Sequence, residues 1–252
     1  MKGHVIILII FSLVSTVILF LPILMLLLST PPSSYLEVLL DRASMLAIYL
    51  SILSATVTTI FAYIFGIPLA YVLARYDFRG SKFVEELLDV PIMLPHTVAG
   101  IALLTVFGPK TYFGSALSSL GIYFTDTFWG IVLAQFFVSS PILIKSSITA
   151  FRSIDEQIIK VARSLGASRL RVLFDIELPL ASKGINTGAI LCWMRAISEF
   201  GAVIILAYYP MTAPVLIFHR FTTQGLSAAR PIAAVLLLLC LGIFVVLKYV
   251  SR

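Results

Sequence analysis

The feature that most constrains this chain is a series of long apolar segments. Residues 5–28 form a run of 24 residues without a charged side chain. A helix needs about 20 mainly apolar residues to cross the hydrocarbon part of a bilayer. Of the 252 residues, 60% are apolar and only 12% are charged, whereas a soluble domain has about 25% charged residues. The sequence therefore predicts an all-α polytopic protein embedded in a lipid bilayer.

Six segments have the length and composition of a membrane-spanning helix, and the third is the least regular. Asp89, Pro91, Pro95 and His96 interrupt that segment. Prolines are tolerated in such helices where neighbouring groups satisfy the freed carbonyls, so they indicate kinks in packed surroundings. The predicted spans are residues 5–28, 46–73, 87–107, 127–144, 185–208 and 232–250.

The distribution of Lys and Arg predicts the orientation of these spans. If the N-terminus lies in the cytoplasm, the cytoplasmic segments hold thirteen Lys and Arg residues and the outer segments hold four. Such an excess is typical of cytoplasmic loops. We therefore expect a multi-pass protein of the cell (plasma) membrane with both termini in the cytoplasm. The net charge of +6 reflects this topology; with no solvated basic face, it does not indicate a nucleic-acid partner.

Within the polar segment between the fourth and fifth spans, the 26 residues from Arg152 to Glu177 carry nine of the 30 charged side chains. Ser153, followed by Glu156 at the third position, has the pattern of a capping box at a helix start. Gly166 suits the left-handed residue that ends a helix. Ser168 is a candidate cap for a second helix, which Pro179 would end. This pattern predicts two short helices joined by a tight turn outside the bilayer.

The first of these helices has one apolar face. Ile154, Ile158, Val161 and Leu165 recur at steps of three and four residues, which places them on one side for burial. An amphipathic helix of this kind either rests on the lipid headgroups or docks on a partner. The residues alone leave both interpretations open.

The segment 153–179 resembles the cytoplasmic signature loop of permease subunits from type I ATP-binding-cassette (ABC) importers. That signature is Glu-Ala-Ala, three residues, Gly, nine residues, Ile, one residue and Leu-Pro. The residues that agree are Ala162, Gly166, Ile176, Leu178 and Pro179. The opening of the motif departs from the pattern, because Lys160 and Val161 stand where Glu and Ala are usual.

Two spans carry the resemblance further. The stretches LPHTVAGIALL (94–104) and WMRAISEFGAVIILA (193–207) are similar to spans of molybdate, tungstate and sulfate permeases. Together with the loop, these motifs anchor roughly residues 46–246. The resemblance implies a permease core over residues 46–252, preceded by an N-terminal transmembrane helix and outer loop over residues 1–45.

In this family the signature loop forms a coupling helix, here between spans four and five, that docks in a groove of a separate ATPase. The ATPase contacts implied by the resemblance are Ala162, Arg163, Ser164, Leu165, Gly166, Ala167 and Ser168. The other partners implied are a second copy of the chain, two ATP-binding-cassette ATPase subunits and an extracytoplasmic oxyanion-binding protein. The sequence has no Gly-x-x-x-x-Gly-Lys-Ser/Thr phosphate loop. We therefore expect no cofactor on this chain and ATP–Mg on the ATPase.

Charged residues inside a span are rare and are usually functional or paired. Arg195 and Glu199 lie four residues apart in span five, so they form either an ion pair within one helix or a site beside the pathway or its gate.

In span three, Pro91 and Pro95 precede His96 and Thr97. A broken helix there exposes N–H groups and a positive dipole end to an anion; the alternative is a simple proline kink. The candidates for the path or gate are Pro95, His96, Thr97, Arg195, Ser198 and Glu199, and no metal site is expected.

The sequence and the resemblance together predict the permease subunit of an ATP-driven importer for an oxyanion, with molybdate or tungstate as the substrate. No catalytic triad or Gly-x-Ser-x-Gly elbow is present, so no enzyme activity is expected. One alternative is a permease of the same family for sulfate or another anion. The other is an ion-driven secondary transporter or channel, a class that often shows inverted repeats.

Overall fold

The computed structural model describes residues 2–250, which are almost entirely helical and contain no strand. The all-α prediction is confirmed. The helices are α1 (Lys2–Leu28), α2 (Pro32–Leu40), α3 (Arg42–Phe61), α4 (Ile67–Arg75), α5 (Ser81–Leu87), α6 (Val90–Met93), α7 (His96–Phe107), α8 (Tyr112–Ser119), α9 (Phe128–Arg152), α10 (Glu156–Ser164), α11 (Arg169–Val172), α12 (Leu178–Ile197), α13 (Gly201–Leu206), α14 (Ala213–Gln224) and α15 (Leu226–Val250).

The helices that can cross a membrane by length and composition agree in part with the six predicted spans. Within the described residues there are four single candidates, and a bent pair, in which α5 and α6 meet α7 at 113°, makes a fifth. The segment predicted as span five lies in α12 and α13, which are separated by residues 198–200. The four single candidates are Ile7–Leu28, Arg42–Arg75, Phe128–Arg152 and Leu226–Tyr249.

Helix α9 is the centre of the molecule. Its first half packs with α7 and α13 around Ile131, Ala134 and Val138. Its second half packs with α4 and α12 around Ile144, Ile148 and Phe151. Both halves of the core therefore share one rigid element.

Glycines on α12 allow it to approach α9 closely. A Cβ added at Gly184 would lie 2.6 Å from the Cβ of Ala150, and one added at Gly188 would lie 2.6 Å from the Cβ of Ser146. Small residues at a four-residue spacing commonly serve this purpose in membrane helices. The small-residue face of α12 is thus used for packing within the chain.

Two π-helical segments, Ala62–Gly66 and Leu173–Glu177, join α3 to α4 and α11 to α12. Each contains the residue four positions before a proline, Pro68 or Pro179. A proline ring in a helix clashes with the carbonyl at that position and removes one hydrogen bond, and a wider turn relieves the clash. The prediction that Pro179 ends a helix is wrong, because the chain continues through the π segment into α12.

Helix α1 lies outside this core. None of the most apolar window of Ile7–Leu28 is buried, and α1 contacts the rest of the chain mainly through α15. By contrast, Val38 of α2 is buried with Ala47 and Ile48 of α3. The apolar surface of α1 is available to lipid or to another protein.

Candidate coupling surface and translocation site

Helix α10 begins one turn after α9 ends, and its cap differs from the predicted one. The Asp155 carboxylate accepts a hydrogen bond from the backbone N–H of Gln157 at 2.9 Å. Ser153 is the C-cap residue of α9, where its Oγ donates to the carbonyl of Ala150 at 2.8 Å. The prediction that Ser153 caps the start of the next helix is therefore wrong, because α9 extends to Arg152 and Ser153 caps the end of α9.

The turn after α10 follows the prediction. Gly166 has φ +88°, a left-handed conformation that glycine adopts without steric cost. The N–H of Gly166 donates to the carbonyl of Arg163 at 3.0 Å, and the N–H of Ala167 donates to that of Ala162 at 3.1 Å. This pair of bonds is the Schellman motif that closes a helix. Ser168 then caps α11 through Arg171 N–H at 3.2 Å, as predicted.

The apolar face of α10 is mostly uncovered in this chain. Ile154, just before the helix, is 8% exposed and packs in the core, but Ile158, Val161 and Leu165 are exposed, with Leu165 at 84%. Leaving such a row of apolar side chains uncovered is unfavourable in water. The seven predicted ATPase-contact residues lie on this helix end and the following turn, where five of them are exposed and Ala162 and Ala167 are half-buried.

A buried ion pair fixes the far end of the loop to α4. Glu177 is 1% exposed, and its carboxylate accepts hydrogen bonds from Arg75 Nε at 2.6 Å and from the Tyr71 hydroxyl at 3.0 Å. Sequence analysis missed this cluster, because Glu177 occupies the variable position of the Ile-x-Leu-Pro motif and its partners lie about 100 residues earlier. A buried charge requires such partners.

Two further ion pairs join the bent span to α9. The guanidinium of Arg152 donates to both carboxylate oxygens of Glu85 at 2.8 and 2.7 Å, in the bidentate geometry that Arg favours. Lys145 of α9 pairs with Asp89, the residue before α6. These contacts fix α5 and α6 beside the second half of α9.

The bend in span three lies at Pro95, immediately before the first residue of α7, His96. Gly201, the first residue of α13, packs against this point: a Cβ there would lie 2.5 Å from the Cβ of His96 and 3.2 Å from Thr97 N. The predicted interruption of the helix before His96 and Thr97 is confirmed. The break in span five, at residues 198–200, lies beside it.

Three side chains meet at these two breaks, and we call them the ionic cluster: His96, Arg195 and Glu199. The guanidinium of Arg195 donates to Glu199, and its Nη2 also lies 3.0 Å from the ring nitrogens of His96. The second oxygen of Glu199 accepts the N–H of Ala202 at 2.8 Å. The predicted ion pair within span five is present, and it also joins α12 to α7 and α13.

The ionic cluster is buried on one side and open on the other. Glu199 is 1% exposed, whereas the side chains of Arg195 and His96 are 24% and 47% exposed. Pro95, Thr97 and Ser198 are exposed around them. Polar and charged groups within a membrane face a protein interior or a water-filled cavity. All six predicted path or gate residues therefore lie at the two breaks, where four are exposed, Arg195 is half-buried and Glu199 is buried.

Residues 66–252 match the family described as the binding-protein-dependent transport system inner membrane component. The chain belongs to this family. It is the membrane subunit of an ABC importer, in which a separate subunit is the ATPase, and it is not an enzyme itself. A multi-pass position in the cell membrane follows from this membership and from the apolar helices.

Relatives agree with this assignment, and a solved structure has the same fold. The chain is 48% identical over 203 residues to the molybdate/tungstate transport system permease protein WtpB of Thermococcus kodakarensis, covering 81% of this chain and 77% of the relative. It is 33% identical to a probable sulfate transport system permease protein of Chlorokybus atmophyticus, covering 80% and 72%. The fold matches that of a bacterial alginate ABC transporter solved in complex with an alginate pentasaccharide-bound periplasmic protein. That match has a TM-score of 0.76 at 20% identity and covers 97% and 94% of the two chains.

Proposed function

We propose that this importer subunit translocates a tetrahedral oxyanion, molybdate or tungstate, into the cell. The observation that carries the proposal is the 48% identity to an archaeal molybdate/tungstate permease over four-fifths of the chain. The sulfate permease relative, at 33% identity, makes sulfate the second candidate. The ionic cluster supports an anionic substrate of either kind, because it places Arg195 and His96 on an open polar face.

The pathway proposed here runs along that face, past Pro95, Thr97 and Ser198. The start of α7 presents backbone N–H groups and the positive end of the helix dipole. Glu199 is not a ligand for the anion, because like charges repel and its two oxygens already accept hydrogen bonds from Arg195 and Ala202. Its role in this proposal is to hold Arg195 in place while the helices change their packing.

The coupling surface proposed here consists of the exposed apolar face of α10 and of residues 162–168, which form the end of α10 and the following turn. The exposed side chains of Val161 and Leu165 would enter an apolar groove of the ATPase, and Arg163 would pair with acidic residues at its rim. Movement of the ATPase would then reach the core through the buried Glu177 and Arg75 pair.

The assembly proposed here contains two copies of the chain, two ATPase subunits and an extracytoplasmic oxyanion-binding protein. The solved relative that carries a periplasmic protein supports the last partner. We also propose six spans, both termini in the cytoplasm, and a permease core over residues 46–252 preceded by an N-terminal unit over residues 1–45. ATP and Mg are held by the ATPase and not by this chain.

The test is uptake by sealed vesicles that contain the chain, its ATPase and the binding protein. Uptake of radiolabelled molybdate, tungstate and sulfate is measured in parallel, with and without ATP and with and without the binding protein. We expect molybdate or tungstate to accumulate only when ATP and the binding protein are both present. Preferential uptake of sulfate would select the second candidate, and uptake without ATP would contradict an importer and indicate a secondary transporter or channel.

A further inference from the structure

A cavity of about 420 Å³ lies between the end of α4 and the signature loop. We call it the basic cavity. Its position behind α10 separates it from the ionic cluster, which lies at the breaks of the spans. The charged side chains that line it are Arg75, Lys160, Arg163, Arg169, Glu156 and Glu177.

The guanidinium of Arg75 is only partly satisfied in this cavity. Its Nε donates to Glu177, but its Nη2 is buried and has no hydrogen-bond partner. The Glu177 carboxylate accepts from Arg75 Nε and from Tyr71, but it makes no hydrogen bond with Nη2. A buried donor on a charged group is costly to leave unpaired, so this atom indicates a missing acceptor.

The other cations of the basic cavity also lack full compensation. Within residues 2–250, no carboxylate oxygen lies within 4 Å of Arg163 or Arg169. Lys160 pairs with Glu156 at 3.1 Å, but both side chains are 73% exposed, where water screens the interaction. Four cations face two carboxylates, which leaves an excess of two positive charges.

We propose that the basic cavity binds a tetrahedral dianion of the phosphate, sulfate or molybdate type. The excess charge matches a dianion, and Arg side chains from α4, α10 and α11 can donate to several of its oxygens at once. The volume is within the range of small-molecule sites. A terminal phosphate monoester on a lipid headgroup has the same chemistry, unlike the singly charged phosphodiester that most headgroups contain, so the source of the group is decided by experiment.

The regulatory consequence rests on the proposed function. A dianion bound here would join the end of α4 to α10 and α11 and would hold the coupling surface in one position. A coupling surface held in this way would move less with the ATPase. The binding site itself does not depend on this consequence.

Binding is measured on the full chain in nanodiscs of zwitterionic lipid at low ionic strength, by equilibrium dialysis of labelled inorganic phosphate and of labelled molybdate. Arg169→Gln removes one cation of the cavity and the hydrogen bonds that it would donate, and we expect it to weaken binding of both anions about tenfold, equivalent to about 1.4 kcal/mol. Arg171→Gln is the matched control: it lies on the same helix, pairs with Asp175 on the surface and does not line the cavity. We expect unchanged binding in this control.

Each outcome of this experiment decides the proposal. Equal binding by Arg169→Gln and the unchanged chain, or loss only in Arg195→Gln, would overturn it, because the anion would then bind elsewhere. Absence of saturable binding by the unchanged chain would also overturn it. Competition between phosphate and added anionic lipid would support the cavity and would assign the lipid phosphate as its occupant. Vesicle uptake separates the two proposals. If vesicles take up molybdate but the chain binds no anion in dialysis, only the proposal of the basic cavity is wrong. If the chain binds anion but vesicles take up none, only the proposed function is wrong.

Discussion

At the scale of single residues, Glu177 is the least replaceable charge of the signature loop. Replacing it by Gln leaves the half-satisfied Arg75 guanidinium without its carboxylate, and breaking a buried pair costs about 3–5 kcal/mol. We expect Glu177→Gln to lower the unfolding free energy of the full chain by about that amount in a detergent titration. Glu156→Gln is the matched control, since its exposed pair with Lys160 contributes about 0–1 kcal/mol. Equal stability of the two variants would contradict this account.

Arg195 and Glu199 allow a sharper test, because a structural pair and a gate differ in a double variant. Arg195→Gln alone leaves a buried carboxylate with a single backbone donor, so we expect it to destabilise the chain. The double variant, with Glu199→Gln added, removes both charges, and we expect its unfolding midpoint to recover. If Arg195 also faces the anion, molybdate uptake by the double variant stays at least about tenfold below normal. Recovery of both stability and uptake would show a purely structural pair.

At the scale of elements, the predictions succeeded where one local rule determines the backbone. The left-handed turn at Gly166 and the break before His96 depend on glycine and proline chemistry, which acts within a few residues. The predictions at Ser153 and Pro179 failed because a neighbouring helix continued through the expected boundary. Packing over long sequence distances decided those positions, and no local pattern reports it.

The partners of the buried charges were not predictable from the sequence for the same reason. The burial of Glu177 depends on Arg75, which is 102 residues earlier in the chain, and a single sequence does not report that contact. The pairing of Arg195 with Glu199 was accessible from their spacing of four residues, but the approach of His96 from α7 was not. Local spacing thus predicted the pair, and only the tertiary fold gave its third member.

The apolar face of α10 gives a prediction that separates docking from folding. Leu165 is 84% exposed, so Leu165→Ser removes few packing contacts from the isolated chain. We therefore expect an unchanged unfolding midpoint. Burial of a Leu side chain contributes about 1.5–3 kcal/mol, so we expect the affinity for the ATPase to fall about tenfold or more. Ile154→Ser, on the same face but buried in the core, should instead lower the stability of the chain. Normal ATPase affinity in Leu165→Ser would contradict the coupling role.

Two substitutions of Gly166, in the turn after α10, separate an effect of charge from an effect of backbone conformation. Gly166 has a left-handed φ, and a Cβ added to it would have no other atom within 4 Å. Asn and Asp both tolerate that conformation better than most side chains. We expect Gly166→Asp to reduce ATP-driven uptake much more than Gly166→Asn, because the Asp charge would meet the acidic rim proposed for the ATPase. Uptake is measured alongside copurification of the ATPase. Equal loss in both variants would indicate a steric effect and argue against an acidic rim.

At the scale of the whole molecule, the single chain has a well-packed core but leaves several apolar and polar surfaces uncovered. Helix α9 joins two apolar clusters, while α1, the apolar face of α10 and the open face of the ionic cluster lack cover within the described residues. A polar face at a break in two spans cannot be left against lipid tails without cost. Either a second copy or a water-filled path must cover it.

Crosslinking tests that conclusion. In a chain whose Cys192 and Cys240 are changed to Ala, a cysteine placed at Ser198 lies on the open face of the ionic cluster. If two copies face each other across the path, maleimide reagents with two reactive ends should join two Ser198→Cys chains in membranes. Leu238→Cys is the control, since this exposed apolar position on α15 suits lipid and should not crosslink. Chains that stay single at every spacer length, while each cysteine still reacts with a one-ended maleimide, would contradict pairing around this face, because the polar residues would then need another cover.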